Sequence, residues 1–443
     1  MFSNKDLRKL IIPLVIEQLL AVTIGMADTV MVSSCGEAAV SGISLVDSIN
    51  FLLITLFSSL ATGGAVIASQ YIGRGDHKSA SLAAKQLFYA SLALSAVLGV
   101  IAVFFRKPVL NMVFGSIEAD VMAHAQIYFL LSAISYPFLA VYNAGAALFR
   151  SMGDSRTTML ISILMNTINI VGNAILIYGF QMAAAGAATA SLVSRAVGAI
   201  IITVLLLNPR RIIFYDKLHK PEIHLSMLKS ILQIGVPNGL ENSIFQIGKI
   251  LVASIVSGFG TLSITANAVA GNLASLQVIP GMALGMAMIT VVGQCIGAKD
   301  YEAVKKYTKK LMLITYGVVW AMTLLMLLFS KQILSFYSLS EETTTMTMEV
   351  FIVHGICAVI VWPLAFALPN ALRAANDVRF TMIVSLLSMW IFRIGFSYVL
   401  AIYFNMGILG TWIAMCIDWF CRGACFVIRF ARGKWKNISF IDN

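Results

Sequence analysis

The sequence predicts an all-α polytopic membrane protein with 12 transmembrane helices. Apolar residues make up 59% of the 443 residues, and the mean hydropathy is +0.89. Charged residues make up only 12%, against about 25% in a typical soluble domain. The apolar runs are long and continuous, which favours spanning helices over the alternating pattern of a membrane β-barrel.

Each predicted span is an apolar segment bounded by polar residues. The twelve spans lie near residues 10–33, 38–71, 86–105, 122–148, 157–178, 184–207, 229–256, 262–294, 311–329, 346–371, 380–403 and 408–430. The six cysteines form no CxxC pair, so we expect free thiols rather than disulfides or a metal site. The sequence has no phosphate-binding loop, HExxH motif or nucleophile motif, so we predict that the chain is not an enzyme and has no cofactor.

Lysine and arginine are concentrated on one side of the predicted membrane. The N-terminus, the alternate connections on its side and the C-terminal end carry 24 of the 31 basic residues, and the opposite connections carry three. The positive-inside rule then places both termini in the cytoplasm. Because this asymmetry accounts for the net charge of +11, nucleic acid is not an expected partner.

The two halves of the sequence repeat each other. Three motifs recur at almost the same offset along the chain: Ile12-Pro13…Glu17 as Val236-Pro237…Glu241, Gln70–Asp76 as Gln294–Asp300, and Arg150–Arg156 as Arg373–Arg379. Each half holds six spans, so both copies enter the membrane from the same side, as a parallel internal repeat. We predict a six-helix lobe over residues 1–207, a cytoplasmic linker over 208–227 and a second six-helix lobe over 228–443.

The first span carries two carboxylates, Glu17 and Asp28. They are 11 residues apart, which places them on one stripe of a helix, about 16 Å apart along its axis. An acid inside the bilayer costs a few kcal/mol or more, so it is usually functional, paired or in contact with water. Pro13 lies one turn before Glu17 and can bend the helix. As a working hypothesis, this stripe of acids on a helix that can bend carries out the function of the protein.

These motifs together resemble the multidrug and toxic compound extrusion (MATE) family of cation-coupled antiporters. The resemblance covers essentially the whole chain. It rests on Met26-Ala-Asp28-Thr29 after Pro13, on the two Gln-x-x-Gly loops that end in Asp76 and Asp300, and on the Arg150–Arg156 and Arg373–Arg379 loops. It implies two lobes around a central cavity, and export of organic molecules against entry of protons or sodium.

The resemblance also implies a cation site in the N-terminal lobe. Many bacterial members combine an Asp of the first span, an Asn-x3-Asp pair of the fifth and a hydroxyl of the sixth. Here these positions are Asp28, Asn169, Asn173 and Ser191. Asn173 departs from the pattern, which weakens the case for a tight Na⁺ site at Asp28, Asn169 and Asn173 and leaves proton coupling through Asp28 alone as an alternative. Phe245 and Trp362 stand where some members have acids of the seventh and tenth spans, so those sites are not carried over.

Depth along the spans leads to the same grouping from the residues alone. Asp28, Asn173 and Ser191 all lie within about 10 Å in height, near the outer ends of their spans. Their oxygens suit a sodium ion or one protonation state of Asp28. Alternatively, the amides and the hydroxyl only join neighbouring helices.

Further charged residues inside the spans are also candidates for a role. Asp47 is either a partner of Asp28 or an exposed residue at the outer rim. Glu17 and Glu241 either attract cationic substrate to a cavity or fix the helix bend through structural pairing. Lys249 is expected near the substrate cavity or hinge. Arg393 and Asp418, at equal depth, are expected to form a structural ion pair.

We therefore predict an antiporter, coupled to H⁺ or Na⁺, that exports organic, cationic amphipathic compounds by alternating access. The expected partners are a small-molecule substrate and the lipid bilayer. We expect a monomer in the bacterial cytoplasmic (inner) membrane. One alternative is a flippase for lipid-linked oligosaccharides, which basic residues such as Lys249 and Arg393 would suit. Another is a membrane sensor that transports nothing.

Overall fold

The computed structural model describes residues 2–115, 118–216, 218, 220, 222–335, 337 and 339–438, without the side chains of Thr23, Ile24, Met26, Ala27 and Thr29. It contains helices and no strand within these ranges, which confirms the all-α prediction. Of the predicted motif Met26–Thr29, only the Asp28 side chain belongs to the described residues. Lys217 and Pro221 of the predicted linker lie outside them.

Six long helices form the N-terminal half. They are α1 (Asn4–Ser33), α2 (Glu37–Arg74), α3 (His77–Phe104), α4 (Ala119–Ser151), α5 (Ser155–Asn173, continued by a π-helical turn over Ala174–Gly179) and α6 (Ala183–Leu206). A short helix, Arg106–Phe114, follows α3 and was not predicted.

Six more form the C-terminal half. They are α7 (Leu225–Ser257), α8 (Thr261–Gly297), α9 (Tyr301–Leu328), α10 (Glu341–Ile360, continued through Pro363–Ala367 and Leu368–Ala374), α11 (Val378–Ser388, continued through Met389–Gly395 and Tyr398–Tyr403) and α12 (Gly407–Ala431). A short helix, Ser330–Ser335, again follows the third member of the half. Among the described residues, eleven of the twelve helices, α2 to α12, are long and apolar enough to cross a membrane, and α1 is 30 residues long.

The repeat seen in the sequence extends to local backbone geometry. Gly36 and Gly260 are separated by the same offset as Pro13 and Pro237. They have φ of +98° and +90° and precede α2 and α8. Such angles are strained for residues with a Cβ atom, which explains glycine at both positions. The π-helical turns Ala174–Gly179 and Tyr398–Tyr403 are also related by this offset, so the two halves share helix irregularities as well as motifs.

The repeated loop motifs contain helix caps. Asp76 accepts a hydrogen bond from the backbone N–H of Ser79 at 3.0 Å, and Asp300 accepts one from Ala303 at 2.9 Å. Each carboxylate thus satisfies a free N–H at the start of α3 or α9. The hydrogen bonds from Ser79 hold the pKa of Asp76 below its ordinary value. These acids of the Gln-x-x-Gly-and-Asp loops have a structural role.

The chain divides into two compact units, Phe2–Gly239 and a second one from Leu240 onward. This division falls inside α7, so the described residues of the predicted linker belong to the first unit. Tyr89 donates to the carbonyl of Leu218 at 2.9 Å, and Gln86 donates to that of Glu222 at 2.7 Å. Close helix packing in the first unit depends on small residues: a Cβ atom on Gly42 of α2 would lie 2.8 Å from the Val121 carbonyl of α4.

Candidate functional site

The four side chains predicted to form the cation site lie together. Asp28 of α1 is partly buried, and the amide of Asn173 on α5 donates to its Oδ1 at 2.6 Å. Asn169, one turn earlier on α5, lies between Asp28 and Ser191 of α6. Both asparagines are buried, at 6% and 1% exposure. Three helices therefore converge on one carboxylate.

The amide of Asn169 links Asp28 to Ser191. Its nitrogen donates to both carboxylate oxygens of Asp28, at 2.8 and 3.2 Å, and its oxygen accepts from Ser191 Oγ at 3.0 Å. This arrangement fits an ionised carboxylate, which only accepts hydrogen bonds.

Asn173 leaves one acceptor unused. Its Oδ1 is buried and has no hydrogen-bond partner among the described residues. A buried unsatisfied carbonyl oxygen costs about 1–3 kcal/mol, so its position beside a carboxylate suggests a ligand or water. The π-helical turn begins at the next residue, Ala174, and such turns occur often at functional sites.

Asp47 of α2 belongs to an adjoining polar network. It accepts hydrogen bonds from Tyr128 at 3.1 Å and from Asn50 at 3.2 Å. It is also near enough to Asp28 for the two negative charges to repel each other, and the positive charge of Arg195 on α6 attracts both. The Asp47 side chain is exposed. Asp47 is therefore exposed and its charge also interacts with that of Asp28, and its role in coupling stays a prediction.

The two repeated glutamates are paired in the same way within their own halves. Glu17 Oε1 lies 3.4 Å from Arg150 Nη1, and Glu241 Oε1 lies 2.7 Å from Arg373 Nη2. Each glutamate also accepts from a hydroxyl of the fifth helix of its half, Thr158 at 2.9 Å and Ser385 at 2.7 Å. Both glutamates are buried. These contacts favour structural pairing over capture of a cationic substrate.

Pro13 and its counterpart Pro237 lie inside unbroken helices. The first helix runs from Asn4 to Ser33 through Pro13, and α7 runs from Leu225 to Ser257 through Pro237. Proline removes one backbone hydrogen bond and crowds the preceding turn. A hinge at Pro13 stays a prediction.

The predicted pair of Arg393 and Asp418 exists, but Arg422 is the closer partner. Arg393 Nη1 lies 3.9 Å from Asp418 Oδ2, whereas Arg422 Nη2 lies 2.9 Å from the same oxygen. Arg422 follows Asp418 by one turn of α12, which places both side chains on one helix face. Lys249 of α7 is exposed and stands over the ring of Phe245, 5.2 Å from its centroid.

Sequence reasoning missed the partners of several site residues. Arg195 and Arg422 lie inside predicted spans, and the sequence alone indicates no acid partner for either. Arg150 and Arg373 were recognised only as parts of repeated loops. The repeat could have identified Arg150 and Arg373 as the partners of the glutamates. Glu17 and Arg150 recur as Glu241 and Arg373 at nearly the same offset, and an acid and a base that are repeated together are expected to be in contact.

Comparisons with known proteins agree with this architecture. The sequence matches the MatE family model over residues 13–175 and 237–399, which is one match in each half. It is 26% identical over 429 residues to the uncharacterized transporter YisQ of Bacillus subtilis, covering 96% of this chain and 93% of that protein. It is 26% identical over 442 residues to the probable multidrug resistance protein NorM of Thermotoga maritima, covering 98% and 93%.

A solved structure has the same fold. The crystal structure of MATE in the straight conformation superposes with a TM-score of 0.90 at 20% identity, covering 98% of this chain and 97% of that one. At this identity the likeness concerns the fold alone. The family model, by contrast, matches more than half of the sequence and includes Asp28, Asn169 and Asn173. The chain therefore belongs to the MatE family and is a multi-pass membrane transporter rather than an enzyme.

Proposed function

We propose that this protein is a proton-coupled antiporter that exports organic compounds, with Asp28 as the proton carrier. The observation that supports this most strongly is the shell around Asp28: a single carboxylate, held by Asn173 at 2.6 Å and by Asn169 from the same helix. The amide nitrogens that approach Asp28 donate to the carboxylate, and an ion would need oxygens in those places. A proton needs only one carboxylate.

Proton uptake changes the hydrogen bonding of this shell. When Asp28 is ionised, the Asn169 nitrogen donates to both of its oxygens, and the Asn169 oxygen accepts from Ser191 Oγ. A proton on Asp28 turns the carboxyl into a donor, which competes with the Asn169 nitrogen and weakens this chain of hydrogen bonds. Contacts between α1, α5 and α6 thus depend on the charge of Asp28, and bending of α1 near Pro13 completes the coupling.

Sodium is the second candidate coupling ion. It is favoured by one observation, the buried and unpartnered Oδ1 of Asn173, among the described residues, beside Asp28. Hard cations bind to carboxylate and carbonyl oxygens. A sodium ion would require the amides to rotate so that their oxygens face it.

The substrates we propose are cationic amphipathic compounds. NorM of Thermotoga maritima is named a probable multidrug resistance protein, and Asp28 and Asp47 supply negative charge in the N-terminal half. Glu17 and Glu241 do not support this choice, because each is paired with an arginine. We further propose that the protein is a monomer in the bacterial cytoplasmic membrane with both termini inside, as the basic residues concentrated on that side predict.

The test is uptake of a fluorescent organic cation into inverted membrane vesicles. A pH gradient alone is imposed in one arm and a sodium gradient alone in the other. We expect uptake with the pH gradient, no uptake with the sodium gradient, and no uptake by Asp28→Asn in either arm. Uptake with sodium alone would select the second candidate. The absence of uptake under either gradient would leave the sensor interpretation.

A further inference from the structure

Three cations of the C-terminal half surround one aromatic ring. Lys249 Nζ lies 5.2 Å from the centroid of the Phe245 ring, and the guanidinium carbons of Arg393 and Arg422 each lie 5.4 Å from it. The lysine and Phe245 come from α7, and the arginines come from α11 and α12. We call these three cations and Phe245 the basic cluster. All four residues belong to the unit from Leu240 onward.

The basic cluster has more positive charge than its acid neutralises. Asp418 is bonded to Arg422 at 2.9 Å and lies 3.9 Å from Arg393. Lys249 forms no ion pair or hydrogen bond within the described part of the chain, so one carboxylate faces three cations. Charged side chains inside membrane spans are costly and usually functional, so this excess of positive charge requires an explanation.

The two arginines of the cluster have donors that are available to a ligand. Arg393 and Arg422 are 9% and 3% exposed. The Nε atom of each is buried and has no hydrogen-bond partner among the described residues. Guanidinium groups bind carboxylates, sulfonates and phosphates through such N–H groups. Lys249 is exposed, so a ligand can reach its ammonium directly.

Aromatic side chains continue from the cluster. The guanidinium of Arg422 also lies over Phe366, at 4.7 Å, and Phe366 stacks on Trp362 and meets Trp419 edge-on. Trp362 and Trp419 are buried, at 3% and 4% exposure, whereas Phe366 is only partly buried. Phe366 is therefore the ring that can contact the apolar or aromatic body of an amphipathic molecule whose charged end contacts the cations.

The corresponding positions of the N-terminal half lack these groups. At the offset that relates Pro237 to Pro13, Lys249 corresponds to Gly25 and Phe245 to Ala21. Conversely, Asp28 corresponds to Val252. The helix caps and the glutamate–arginine pairs are repeated, whereas the acid of one half and the bases of the other are not. The basic cluster is therefore a feature of the C-terminal half and not a consequence of the repeat.

We propose that the basic cluster binds an anionic group of the transported compound, a carboxylate, sulfonate or phosphate attached to an aromatic or apolar body. Lys249 contacts the anionic group directly, and the charges of Arg393 and Arg422 increase the positive electrostatic potential around it. This inference rests on the proposed export function and widens its substrate class to anionic and zwitterionic amphiphiles. An anionic lipid headgroup offers the same chemistry, and the experiment separates the two sources.

The experiment uses the full chain in phosphatidylcholine nanodiscs, without any ion gradient. Binding of 1-pyrenesulfonate and of 1-pyrenemethylammonium is measured by energy transfer from tryptophan to pyrene, with empty nanodiscs as background. These probes share one aromatic body and differ in the sign of their charge. We expect the sulfonate to bind, Lys249→Gln to weaken it at least tenfold and Lys249→Arg to retain it. Lys249→Gln is expected not to weaken binding of 1-pyrenemethylammonium.

Lys331→Gln is the matched control, because it removes an exposed positive charge of the same half at a distant position of the sequence. It is expected to leave sulfonate affinity unchanged. Equal sulfonate affinity in the wild type and in Lys249→Gln would overturn the proposal. So would displacement of the probe by phosphatidylglycerol in the nanodisc, which would assign the site to lipid. Because binding is measured at equilibrium, a chain that binds sulfonate but exports nothing refutes only the proposed function.

Discussion

The Asn173 amide donates a 2.6 Å hydrogen bond to the carboxylate of Asp28, joining α5 to α1. Asn173 is also the position at which the chain departs from the acid expected by family resemblance. The departure leaves the shell with one carboxylate and replaces an acceptor with a donor. This composition is the reason that we propose a proton, and not a metal cation, as the coupling ion.

Asn173→Asp is expected to make export respond to sodium. The substitution places a second carboxylate beside Asp28 and supplies the negative charge that a sodium ion requires. Export from proteoliposomes is measured under a sodium gradient alone, where the wild type is expected to be inactive. The control is Asn166→Asp, which adds an acid one turn before Asn169 on the same helix. A sodium response in the control as well would show that charge near α5 suffices without the Asp28 shell.

The ion pair of Glu17 and Arg150 is expected to stabilise the fold. Arg150→Gln removes the charged partner of a carboxylate that is 7% exposed. Breaking a buried ion pair by removing one partner costs about 3–5 kcal/mol. The thermal unfolding midpoint of the purified protein should fall by several degrees, and Arg373→Gln should have a similar effect through Glu241.

The double variant Glu17→Gln, Arg150→Gln provides the control for this loss. With both charges removed, no unpaired charge remains, so stability should recover relative to Arg150→Gln alone. If the double variant is as unstable as the sum of both single variants, the two residues act independently. The structural pairing of Glu17 would then be wrong.

Pro13→Ala is expected to slow export and leave the protein at least as stable as the wild type. Alanine restores the missing backbone donor and removes the bulk that favours bending. Pro237→Ala is the matched control, because it occupies the equivalent place in α7 but no coupling residue corresponding to Asp28 follows it. Initial export rates at a fixed pH gradient compare the two. If Pro13→Ala and Pro237→Ala slow export equally, the first helix has no special role in coupling.

The sequence alone was sufficient to predict most of the architecture. Long apolar runs specify spanning helices, and all twelve predicted spans correspond to long helices. The short helices Arg106–Phe114 and Ser330–Ser335 were missed because each is too short to show a clear apolar period. Both lie at the same place in their halves, with their starts related by the offset of the repeat. If one short helix had been known, the repeat would have predicted the other, but the repeat alone predicts neither.

The candidate site was predictable where one helix or one repeat determined it. Asn169 and Asn173 share a face of α5 because they are one turn apart, and the depth of Asn173 matched that of Asp28. Contacts that depend on how different helices are rotated could not be read from the sequence. Arg195 near Asp28, and Lys249 near Arg393 and Arg422, are of this kind, since span order and depth leave the rotation of each helix open.

The most direct test of the coupling role of Asp28 is export by purified Asp28→Asn in proteoliposomes with an imposed pH gradient. Asparagine keeps the size of the side chain and cannot carry the proton, so export should be abolished while the thermal unfolding midpoint stays close to that of the wild type. Asp47→Asn, which changes the neighbouring exposed acid, should retain measurable export. Export by Asp28→Asn at the wild-type rate would contradict the account.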